Sequence, residues 1–133
     1  MKARIAAAPE RVLWYGVKES ARAGLSAALK ELSIEERQVM PEELGQQVGY
    51  LAGFAGFQPR ETEPAAPPEC GGMLCMCGLS GKRMDALLQA LREQRADIPI
   101  KAAVTASNQR WTFAKLVEEL CREHAALGAN SPK

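Results

Sequence analysis

At 133 residues, 47% of them apolar and 25% charged, the chain has the length of one domain with a real core, and a composition neither disordered nor fibrous. Its net charge of +1 gives no reason to expect nucleic acid or an anionic membrane as partner. No apolar run approaches the ~20 residues of a membrane span, and the N-terminal MKARIAAAPER is too short in its apolar part for a secretory leader. The cytoplasm is the expected compartment, with reduced cysteines.

Residues 1–10 read as a loose terminus. Arg11 to Val17 (RVLWYGV) is a continuous apolar run, the mark of a strand covered on both faces. Ser20 is placed to cap a helix whose stripe is Leu25, Ala28, Leu29 and Leu32. Ile34 to Met40 is a polar strand suited to a sheet edge. Pro41, followed by Glu42 and Glu43, fits the first turn of a second helix reaching Ala55. Four prolines between Gly56 and Gly71 then mark a linker.

The second half starts with Met73 to Cys77, another unbroken apolar run between glycines. Beyond Gly78, Ser80 can cap a helix with Met84, Leu87, Leu88 and Leu91 on one stripe. Ile98, Ile100, Ala102 and Val104 alternate with more exposed positions as a half-buried strand. Asn108 belongs to a turn, and Thr112 caps the last helix, with Trp111 and Leu116 spaced as a hydrophobic staple. Gly128 is the expected C-terminal stop.

Placing Gly16 on Gly78 also pairs Leu25 with Leu87, Ala28 with Ala90 and Leu29 with Leu91, which points to an internal repeat. The expected architecture is one α/β domain over 1–133, built of two βαβα halves. The first spans residues 11–55 and the second 72–127, with the linker 56–71 between them. Its sheet has four mostly parallel strands in the order 2-1-3-4, with helices on both faces. A ferredoxin-like α+β sheet is the alternative.

The segments CGLSG (Cys77 to Gly81), KAAVTASN (Lys101 to Asn108) and WTF (Trp111 to Phe113) resemble a bacterial family, domain of unknown function 3783. The resemblance covers the second half of the chain and implies neither a catalytic residue nor a cofactor.

No motif declares a chemistry. Cys75 and Cys77 fall on one face of their strand, where free cysteine packs well, and with Cys70, Cys121 and His124 they match no zinc module. Gly78 to Lys82 lacks the glycine spacing of a phosphate loop, although the turn could hold an anion. In an open parallel sheet the ligand crevice lies beyond the carboxyl ends of the strands at the switch point. That rule gathers Gly16, Lys18, Gly78, Ser80, Lys82, Thr105 and Asn108 on one edge. The leading expectation is therefore a non-catalytic domain binding a small molecule or a protein there, with no metal and no cofactor. A thiol-based redox or metal-binding role for Cys70, Cys75 and Cys77 is the alternative, and homodimerisation through an edge strand or the second helix is a third.

Overall fold

The computed structural model describes residues 10–60 and 72–130, the last four as backbone only. Residues 1–9 of the expected loose terminus, the linker from residue 61 onward and Cys70 lie outside them, while Glu10, at that terminus's end, is held by Arg83. The elements run β1 (Arg11–Tyr15), α1 (Glu19–Glu31), β2 (Glu35–Gln38), a 3-10 turn (Pro41–Glu43), α2 (Val48–Ala52), β3 (Met73–Cys77), α3 (Gly81–Glu93), β4 (Ile100–Ala103) and α4 (Phe113–Asn130).

The strands form one sheet in the order β2-β1-β3-β4, as expected. β1 and β3 are central because both present apolar side chains to both faces. Val12, Trp14, Leu74 and Met76 face a core closed by Leu25, Ala28 and Leu29 of α1 and Leu87, Ala90 and Leu91 of α3. Leu13, Met73, Cys75 and Cys77 face the opposite core with Val48 and Leu51 of α2 and Phe113, Leu116 and Val117 of α4. β2 is charged and solvent-facing, as an edge strand should be. Its Glu35 is gripped by the Arg11 guanidinium at 2.7 and 3.0 Å, and its Glu36 accepts from Trp14 Nε1 at 3.1 Å.

Strand direction departs from expectation. β1–β2 and β3–β4 are parallel, but the central pair β1–β3 is antiparallel, so the sheet is mixed. Direct pairing of β1 with β2 also excludes the split βαβ of the ferredoxin-like alternative.

The antiparallel pair is what two equivalent halves require when they meet edge to edge. Their symmetry is detailed. α1 and α3 both have 13 residues. Gly16 and Gly78, 62 positions apart, take left-handed φ of 69° and 73° at the same turn, where a Cβ would be strained. Ser33 and Arg95, also 62 apart, do so at 58° and 56°. Beyond a three-residue insertion, Asp97 to Pro99, the spacing is 65. At that spacing Met40 N donates to Glu43 Oε1 (3.0 Å) and Thr105 N to Asn108 Oδ1 (2.9 Å). Val48 N donates to Trp111 O (2.9 Å) and Phe113 N to Gln46 O (2.8 Å), closing a reciprocal bridge between Gln47 and Thr112. A pseudo-two-fold axis thus crosses the sheet between Leu13 and Cys75 and leaves it between Gln47 and Thr112.

Local expectations fared unevenly. Ser80 Oγ accepts from Arg83 N (3.2 Å) and Thr112 Oγ1 from Lys115 N (3.1 Å), so both caps hold. Ser20 is not a cap: α1 begins earlier, at Glu19, with Lys18 in the capping position. The helix expected from Pro41 to Ala55 is split into the 3-10 turn at Pro41–Glu43 and α2 at Val48–Ala52, because the chain is extended at Gln47, where it makes the bridge to Thr112. Gly128 does not stop α4, which runs on to Asn130.

Candidate functional site

The antiparallel centre divides the expected crevice. Gly16 and Lys18 follow the end of β1 and sit at one end of the sheet. Gly78, Ser80 and Lys82 follow β3, and Thr105 and Asn108 follow its parallel neighbour β4, so these five lie at the opposite end. A single edge carrying all seven does not exist, since it required β1 and β3 to point the same way.

At the Gly78 end the polar groups are turned on one another. Ser80 Oγ is engaged as a cap. Thr105 Oγ1 accepts from Ser107 N and Asn108 N, while the Asn108 amide bonds to Thr105 N and the Ala103 carbonyl. These are turn-forming bonds. Arg83 is held at the same end of the sheet. Its Nε and Nη2 donate to the two Glu10 oxygens at 2.9 and 2.8 Å, and Nη2 also reaches the Leu32 carbonyl at the end of α1, at 2.6 Å. The Arg83 hydrogen bond holds the Glu10 carboxyl below its ordinary range.

The Gly16 end is open. A cavity of about 160 Å³ is lined by Gly16, Lys18, Gly72, Asp97 and Pro99. Three of these have mates across the pseudo-axis, namely Gly78, Ser80 and Glu10. The two side chains that pair at the other end have no like here: the mate of Arg83 is Ala21, which is buried and does not line the cavity, and the mate of Glu10 is Gly72, which does. Gly72 is fixed as glycine by contact, since a Cβ there would stand 2.8 Å from Val17 Cα and 3.1 Å from the Gly16 carbonyl oxygen. The remaining wall, Asp97 and Pro99, belongs to the insertion that interrupts the repeat. Lys18 Nζ and Asp97 Oδ2 meet at 3.1 Å, with both side chains well exposed. A second cavity of about 150 Å³ shares Pro99 and continues along β4 to Lys101, Leu120, Glu123 and His124.

The comparisons with known proteins bear on the second half alone. Residues 72–127 match the family described as Domain of unknown function (DUF3783). That segment carries β3, α3, β4 and most of α4, and agrees with the resemblance in its motifs. No curated protein and no solved structure matches the chain. The DUF3783 segment is one half of the pseudo-symmetric sheet, and β1 of the other half completes the pairing of its β3.

The cysteines divide. Cys75 and Cys77 are free thiols buried in β3. Burial raises both pKa values, that of Cys77 to about 12, so neither is a thiolate near neutrality. Cys121 is disulfide-bonded, contrary to the reduced state expected of all four. Among the described residues no group of three or more His, Cys, Asp or Glu could hold a metal, and no helix is long and apolar enough to cross a membrane.

Sequence reasoning missed Gly72, Asp97 and Pro99. Their one signal was the change of spacing in the repeat at Asp97, a place where the two halves cannot be superposed.

Proposed function

We propose that the protein is a non-catalytic α/β domain that binds a small ligand in the cavity between Gly16 and Gly72. One observation carries this reading: Arg83 and Glu10 pair at one end of a pseudo-symmetric molecule, whereas at the other end Gly72 stands in the place of Glu10 and lines a cavity. The contrast between the two ends supports the open one as the place a ligand enters. Backbone from Gly16 and Gly72 and the charges of Lys18 and Asp97 supply recognition without a nucleophile or a paired acid and base. The buried, protonated thiols of Cys75 and Cys77 support packing as their role over thiol chemistry.

An amide-resolved NMR screen of small polar molecules tests the reading. Perturbations are expected at Gly16, Lys18 and Gly72, and loss of all of them in Lys18→Ala supports the site. A library that perturbs none of these amides sinks it. The cytoplasm is the setting that composition favours; isolation of the protein with Cys121 oxidised would argue instead for an oxidising compartment.

A further inference from the structure

We propose that the ligand of this cavity is a small zwitterion, a molecule carrying an ammonium and a carboxylate a few bonds apart, as amino acids do. The inference rests on the binding reading above and names its ligand class. Lys18 Nζ and Asp97 Oδ2 both line the cavity and lie only 3.1 Å apart, so an entering molecule meets the two signs of charge side by side. The two charged side chains are 59% and 77% exposed, and so open a pair contributes little to stability, which makes it cheap to separate.

A singly charged ligand gains one attraction here and suffers one repulsion. A zwitterion that turns its carboxylate to Lys18 and its ammonium to Asp97 gains both attractions and replaces the contact it breaks. The cavity's about 160 Å³ limits the guest to a small molecule. Pro99 offers an apolar wall, and Gly16 and Gly72 present backbone with no side chain in the way. Asp97 lies in the insertion that the second half alone carries; in the first half the chain passes from Ile34 straight into β2 at Glu35, whose carboxylate is held by Arg11. The insertion therefore brings the second charge of the pair.

Calorimetric titration of the full-length protein with glycine and β-alanine, against acetate and methylammonium, tests the proposal. Lys18→Met and Asp97→Asn are titrated beside wild type, since each removes a charge while keeping the side chain's bulk. The zwitterions are expected to bind at least tenfold more tightly than either singly charged probe, and each variant to weaken them tenfold or more. If acetate or methylammonium binds as tightly as the zwitterions and the variants still abolish binding, the ligand class is wrong and the site stands. If no probe binds, or binding ignores both variants, the class fails at this cavity, and the NMR screen of the wider library then decides whether the site fails with it.

Discussion

Leu13 lies directly opposite Cys75 in the antiparallel pair at the centre of the sheet, and the two are the same position of the two halves. Each packs into the core under α2 and α4, with no solvent exposure. This pairing fixes the pseudo-two-fold axis, and with it the separation of the Arg83 end from the open one. Truncating Leu13→Ala removes three carbons from a closely packed site and should cost about 3 kcal/mol in denaturant unfolding. A cost under about 1 kcal/mol would mean that the centre of the sheet is not packed as described.

The same burial predicts silent thiols. In a chromogenic thiol assay at pH 8, Cys75 and Cys77 should stay unreactive in the native protein and react fully in denaturant. Raising the pH to 10 should not release either, because both thiols titrate well above that.

The Arg83–Glu10 pair predicts a pH dependence. The folded pKa of Glu10 is lowered, first by the Arg83 hydrogen bond, so its contribution is present above the ordinary carboxylate value of 4.5 and is lost as pH falls through the lower folded value. Arg83→Gln should therefore lower the melting temperature at pH 7, and the gap to wild type should narrow below pH 4.5. A gap that widens in acid contradicts the assignment.

Two glycines should respond in opposite directions. Gly72→Ala forces a methyl against the Val17 backbone and should destabilise by about 1–3 kcal/mol. Gly81→Ala, at the first position of α3 with nothing within 4 Å, should stabilise by about 0.5 kcal/mol through the unfolded chain. Equilibrium unfolding of the two variants side by side checks both signs.

Much of this architecture was legible in the sequence, and the reason is burial. Val12 to Tyr15 and Met73 to Cys77 carry no charge, so they had to be central, and the charged β2 had to be an edge. Direction was not legible from those runs, because a strand covered on both faces reads alike whichever way it points. The pointer was the repeat itself: two equal halves joined through the same strand edge must meet antiparallel. The candidate site suffered from that one omission. Gly16 and Lys18 do line a cavity, but Gly78, Ser80, Lys82, Thr105 and Asn108 lie at the other end, and Gly72, Asp97 and Pro99 take their place. The start of α1 was not legible for a local reason, since Lys18 caps it by backbone geometry alone, with no side-chain bond for a sequence to advertise.

The central claim is that the end bearing Gly16 and Gly72 is the working one. Amide chemical-shift mapping during a glycine titration tests it most directly. Progressive, saturable shifts at Gly16, Lys18, Gly72 and Asp97, with Gly78, Ser80 and Asn108 unmoved, are the predicted result; shifts confined to the Arg83 end would contradict it.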